Sequence, residues 1–158
     1  MKATFIALLA FLVCLPALAQ DKPAVGKEAA KKDYAEGRYA DAVRLFAAEL
    51  AKEEAKPKPD WRVLSYYNSY LGLAHDGAGQ YGKALEFHHK SLAIYLVKLG
   101  KDHPSVADTY YNMALTHGAK KNVIKKKELL AKAYAIQLEK LGKDHPDTKN
   151  TKAELFGP

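Results

Sequence analysis

The chain has a single cysteine, Cys14, in 158 residues. One thiol cannot build a disulfide framework, and no cysteine pair is available as metal ligands. Strand alternation is missing too: no window switches between apolar and polar residues with a period of two. The sequence has no serine nucleophile motif, no glycine-rich phosphate loop and no His-x-x-x-His pair. These absences argue against an enzyme, a metal site and a bound cofactor. The one strongly apolar run, Phe5 to Leu15, is too short to span a bilayer comfortably, and no stop-transfer segment follows.

That run reads instead as a secretory signal over residues 1–19. Met1-Lys2 is its positive start, and Ala17-Leu18-Ala19 before Gln20 has the small-x-small form of a cleavage site. Lipid attachment at Cys14 is the alternative, but it wants a small residue just before the cysteine, where Val13 stands. Cleavage after Ala19 would leave a chain with no cysteine, held by packing or by a partner in a compartment that permits disulfides. Periplasmic location follows if the source is Gram-negative; the alternative is extracellular. Export makes nucleic acid a poor partner.

The chain carries a net charge of +7. Such a surface suits an anionic protein, a lipid headgroup layer or a polyanion. Interleaved Glu and Asp also fit a solvated helical face.

What is abundant is helical periodicity, and it repeats. Leu99-Gly100-Lys101-Asp102-His103-Pro104 returns unchanged as Leu141-Gly142-Lys143-Asp144-His145-Pro146, 42 residues later. Each copy can end one helix and open another: glycine supplies a left-handed C-terminal cap, and proline suits the first turn of the next helix. Asp and His would serve the turn rather than chemistry. The shift brings Leu71, Met113 and Leu155 into register, and Gly79-x-Tyr81-x-x-Ala84 repeats Gly37-x-Tyr39-x-x-Ala42. Apolar positions predict helices over about 25–36, 39–55, 61–78, 81–99, 104–117, 123–141 and 146–156. The fold class is all-α, in one domain over residues 20–158. Its repeats span about 24–56, 60–102 and 103–144, with a cap at 146–156 that looks like the start of a further unit.

Leu71-Gly72, His75, Gly79, Tyr81, Ala84 and His88 occupy the pattern of a tetratricopeptide repeat, which ordinarily has about 34 residues. The longer form here, closing on Leu-Gly-x-Asp-His-Pro, resembles the kinesin-light-chain type. The resemblance implies a right-handed superhelix of three antiparallel helix pairs plus a short C-terminal capping helix. It further implies a concave groove lined by the first helix of each pair, which in such proteins binds peptides or partner proteins. Gly72 and Ala84 would let two backbones approach. Lys126 departs from the pattern: it stands where the second repeat has Ala84, so it must snorkel outward or loosen the third pair.

The candidate groove residues are Tyr66, Tyr70, Leu73, Tyr111, Asn112 and Leu115, an aromatic surface with one amide. Two readings stand: these tyrosines bind a ligand, or they pack between adjacent pairs. A carboxylate clamp using Lys27, Lys31 and Asn112 is incomplete, because Tyr66 and Tyr70 stand in the second repeat. His75, His117, the neighbours His88 and His89, and His103 and His145 read as structural rather than as metal ligands. Lys120, Lys121, Lys125 and Lys127 form a candidate basic docking patch for an anionic partner, or a solvated face. The function that results is a non-enzymatic, exported interaction module or scaffold that holds a protein or peptide in its groove. The alternative is a structural protein that self-associates as a homodimer through exposed solenoid ends.

Overall fold

The computed structural model describes residues 23–157. The expected signal segment, residues 1–19, lies outside them. Seven helices follow one another: α1 Pro23–Ala35, α2 Tyr39–Glu54, α3 Trp61–Gly77, α4 Tyr81–Leu99, α5 Pro104–Ala119, α6 Val123–Lys140 and α7 Pro146–Phe156. No strand occurs among the described residues. Each helix packs chiefly on its neighbours in sequence, and α3 also meets α5. The chain is an all-helical solenoid in which α1, α3, α5 and α7 are the successive first helices.

Local chemistry sets the helix ends. The Asp60 side chain accepts from the Arg62 N–H at 2.8 Å and starts α3. The repeated hexapeptide supplies the same function through histidine. Nδ1 of His103 accepts from the Ser105 N–H at 3.1 Å, and Nδ1 of His145 accepts from the Asp147 N–H at 3.2 Å. Proline follows each cap. The hexapeptide glycine differs from expectation. Gly100 has φ 86° and ψ 164°, a region open only to glycine but not the left-handed helical one. It turns the chain sharply rather than continuing it into a helical cap.

The apolar core has two halves. Ala30, Phe46, Leu50, Tyr67 and Leu71 form one, and Leu92, Val106, Met113, Leu129 and Leu130 the other. A polar seam in the second repeat lies among them. His88 and Ser91 of α4 are buried, as is Ser65 of α3. The Ser69 and Ser91 hydroxyls are 2.6 Å apart, and Ser91 also donates to the Ser65 carbonyl at 3.3 Å. Asp76 Oδ2 bonds His88 Nε2 at 3.0 Å and accepts from the Thr116 hydroxyl at 2.8 Å. That single carboxylate ties α3 to α4 in its own pair and to α5 in the next.

Two expectations about close packing are refined. Gly72 does not serve backbone contact with Ala84; the ring of His88 occupies the space where its side chain would be. Lys126 snorkels: its stem runs past Gly118, and its ammonium reaches Glu154 Oε2 on α7 at 2.6 Å.

Candidate functional site

The six candidate groove residues do not form one surface. Tyr66 and Tyr70 of α3 turn into the aromatic packing of the first two pairs. Their ring centroids are 4.5 Å apart, and Tyr70 lies 5.1 Å from Phe46 and 6.5 Å from Tyr34. Burial, and then the neighbouring Tyr70, push the Tyr66 hydroxyl well above the ordinary tyrosine value. Lys27 sits over the outer face of Tyr66, 4.3 Å from the ring centroid. This cation–π contact engages Lys27, and Lys31 lies 3.8 Å from Glu28, so neither lysine stands beside Asn112 as a clamp.

Leu73, Asn112 and Leu115 do come together. With Asp76, Thr116 and Tyr34 they line a hollow of about 320 Å³ between α3 and α5. Spacing explains the split. Along α3, residues 66, 70 and 73 share one stripe, and the stripe drifts as the helix turns. Its early members meet α1 and its last member faces α5. Asp76 completes the hollow with Oδ1, which is buried and has no hydrogen-bond partner among the described residues.

A second hollow, about 260 Å³, continues the groove between α5 and α7. Asn112 lines both. Tyr111 belongs here, with Asp108, Gln137, Asp147 and Thr151. Asp108 is solvent-exposed at this hollow, yet desolvation by the protein around its carboxyl still raises it above the usual carboxylate range. The charge of Asp147 adds to that, while a hydrogen bond from Gln137 opposes it. Tyr111 is also raised, first by burial and then by Glu154.

The sequence reading missed Asp76, Asp108, Gln137, Asp147 and Thr151. The available signal was departure from the repeat. Asp76 matches Tyr34 and Gly118, and Asp108 matches Tyr66 and Asn150, so neither carboxylate serves the repeat itself.

The basic patch is thinner than its lysines suggest. Lys125 pairs with Glu128 at 2.8 Å, and Lys132 holds the other oxygen at 2.9 Å. Those two bonds lower the Glu128 carboxyl to about 2. Lys120, Lys121 and Lys127 stay exposed at and after the α5–α6 turn. The histidines are dispersed. His75 stacks on Phe87 and bonds Gln80, His88 bonds Asp76, and His103 and His145 cap helices. Among the described residues, no group of three or more His, Cys, Asp or Glu is placed to hold a metal ion. No helix there is long and apolar enough to cross a membrane.

Helix pairs stacked in series, with a groove along their first helices, define a solenoid of helical repeats. Two family models, each described as tetratricopeptide repeat, match residues 62–123 and 106–147. The chain has the tetratricopeptide-repeat fold and carries such repeats across that stretch. No curated protein matches it. Among solved structures it is similar to a Podosopora anserina putative kinesin light chain with nearly identical TPR-like repeats. The identity is 25% over 85% of this chain and 65% of that one, with a TM-score of 0.74. BtubC (BKLC) from P. vanneervenii is 20% identical over 82% of this chain and 51% of its own, with a TM-score of 0.72. PcrH, solved in complex with the chaperone binding region of PopB, is 18% identical over 89% of this chain and 100% of its own, with a TM-score of 0.63. The chain thus spans between half and two thirds of the first two proteins.

Proposed function

We propose that this protein is an exported, non-enzymatic interaction module that holds an extended peptide of a partner protein in its concave groove. The observation that carries this is the pair of hollows joined at Asn112, running from Asp76 on α3 to Thr151 on α7. Leu73 and Leu115 offer apolar contact, while Asn112 can meet a peptide backbone with both donor and acceptor. The buried Asp76 Oδ1 lacks a partner, and a peptide N–H entering the hollow would supply one. Tetratricopeptide-repeat proteins commonly scaffold protein contacts, and PcrH, with the same fold, holds a segment of PopB. Export rests on the character of residues 1–19 alone, and a periplasmic location on a Gram-negative source.

The test is a selection from a displayed pool of random dodecapeptides, followed by affinity measurement on the captured peptides. Asn112→Ala with Leu115→Ala should weaken binding at least tenfold, the scale of removing interface anchors. Val97→Ser, on exposed α4 surface, should leave it unchanged. Equal binding by the groove variant would sink the proposal.

A self-associating structural protein is the second reading, favoured by apolar side chains left open toward the C-terminal end. Ile124 is 85% exposed and Phe156 68%. Sedimentation across a concentration series separates the two: a dimer abolished by Ile124→Ser with Phe156→Ser supports self-association, and a monomer throughout removes it.

A further inference from the structure

The groove changes character along its length, from the leucines near α3 to a polar surface between α5 and α7 that carries two carboxylates among amides and hydroxyls. Asp108 and Asp147, on different helices, line this second hollow. Gln137 and Thr151 line it too and are only 2% and 1% exposed. The Oε1 of Gln137 and the hydroxyl of Thr151 are buried and lack hydrogen-bond partners among the described residues. A Gln137 amide N–H already bonds the Asp108 carboxyl, and the Gln137 oxygen still lacks a donor.

The basic group nearest Asp147 is His145, whose Nδ1 lies 3.5 Å from Oδ2. His103 and His145 are the adjacent basic groups, but each accepts a backbone N–H at Nδ1. With Nδ1 engaged by the helix cap, neither imidazole donates to a carboxylate from that nitrogen in this arrangement. Lys149 pairs with Asp144 at 3.5 Å. The hollow therefore asks for an occupant that brings positive charge and several N–H donors together. A bare metal ion fits poorly, because no cluster of three or more ionisable ligands converges there. An ammonium is a compact, strongly hydrated point charge, whereas a guanidinium is a planar fork with five donors. The fork can reach two carboxylates and an amide oxygen at once.

We propose that the hollow between α5, α6 and α7 seats the guanidinium of an arginine in the partner peptide, held by Asp108, Asp147 and Gln137. The assignment rests on the groove reading, since Asn112 joins this hollow to the apolar one and a peptide lying along both would deliver the side chain.

Two measurements test it on the full mature chain. The first is an amide-resolved NMR titration with acetyl-arginine-N-methylamide, its neutral citrulline counterpart and the lysine counterpart. The arginine compound should shift signals of residues 108–112, 137 and 147–151, and citrulline should not. The variant Asp108→Asn with Asp147→Asn, or Asp108→Asn alone should the pair perturb folding, should lose the shifts. Equal shifts with citrulline, or none with arginine, would overturn the proposal, and equal shifts with lysine would overturn the guanidinium assignment. The second is the dodecapeptide selection. The wild type should enrich arginine at one fixed position, and the double variant should lose that enrichment with at least tenfold weaker binding of the selected peptides. Captured peptides without a fixed arginine would overturn this inference and leave the groove reading intact. No captured peptide at all would overturn the groove reading, and the titration still decides what the hollow accepts.

Discussion

Gly72 and His88 share one volume: a Cβ on residue 72 would stand less than 3.0 Å from the imidazole. Flanking repeats solve the same contact differently. At positions 42 residues to either side, Ala30 pairs with Phe46 and Ala114 with Leu130, all fully buried. The second repeat gives up a methyl group so that a ring can enter and bond Asp76, which in turn holds Thr116 of the next repeat.

The two residues should therefore couple. Gly72→Ala should cost about 1–3 kcal/mol by overpacking, partly offset by roughly 1 kcal/mol of better helix propensity. His88→Leu alone should cost about 1–3 kcal/mol, because Asp76 loses a buried partner. Together they recreate the Ala114 and Leu130 arrangement, so the double variant should be at least about 1 kcal/mol more stable than additivity gives. Urea unfolding of the four proteins measures this, and strictly additive losses would show that the shared volume is not what matters.

Lys121 carries strain at a position that elsewhere belongs to glycine. Gly37, Gly79 and Lys121 are equivalent by the repeat, with φ of 75°, 71° and 59°. The turns match as well: the N–H after each donates to a carbonyl five residues back, at 2.8 Å in all three. A left-handed backbone costs a non-glycine residue about 1–2 kcal/mol, and the greater freedom of unfolded glycine returns part of that. Lys121→Gly should therefore stabilise by about 1 kcal/mol and raise Tm by about 3–6 °C. Lys121→Ala should bring no gain. A calorimetric scan distinguishes them, and a matching rise for alanine would place the effect in lost charge instead.

Most of the architecture was legible because it is written in repeat spacing. The hexapeptide fixed the ends of α4 and α6, and proline after histidine marked where α5 and α7 begin. The groove was harder to read for a geometric reason. Tyr66, Tyr70 and Leu73 share a stripe on α3, but whether a stripe residue meets α1, α5 or solvent depends on how the pairs rotate against each other. Pattern within one helix holds no record of that rotation. Asp108, Gln137 and Asp147 are separated in sequence and ordinary in type, so only three-dimensional packing shows that they surround one hollow. The small residues were seen correctly as signs of close approach, but not that the approaching group at Gly72 was a histidine ring.

The histidine of each hexapeptide works as a helix cap, and this is separable from any chemistry. His103→Ala or His145→Ala should each cost about 1 kcal/mol, the usual loss of an N-cap acceptor. His103→Asp should retain stability, since a carboxylate accepts the same N–H and complements the positive helix end. The cap of α7 should matter more for local order than for global unfolding, because among the described helices α7 packs chiefly against α6. Amide exchange should rise in residues 147–151 of the His145→Ala protein while α3 is unaffected. Faster exchange across all seven helices would contradict a local role.

Acidification should weaken the fold through His117. Burial lowers its pKa from the ordinary 6.5; Lys120, Lys125 and His89 act in the same direction, and Glu128 opposes them. Its Nδ1 is buried without a partner. The folded protein thus keeps this ring neutral at a pH where the unfolded chain already binds a proton. Stability from this group is fully present above pH 6.5 and declines as pH falls from there toward the lower folded value. Asp108 acts oppositely: its raised folded pKa means that stability falls as pH rises from the ordinary 3.8 through that higher value. The two slopes occupy different windows and different variants remove them. His117→Gln should flatten the decline below pH 6.5, and Asp108→Asn should add up to about 1 kcal/mol at pH 7 but little below pH 4. Denaturation midpoints every half unit from pH 4 to 8 give both curves. A wild-type-minus-variant difference for His117→Gln that stays constant across the window would place the pH dependence in another residue.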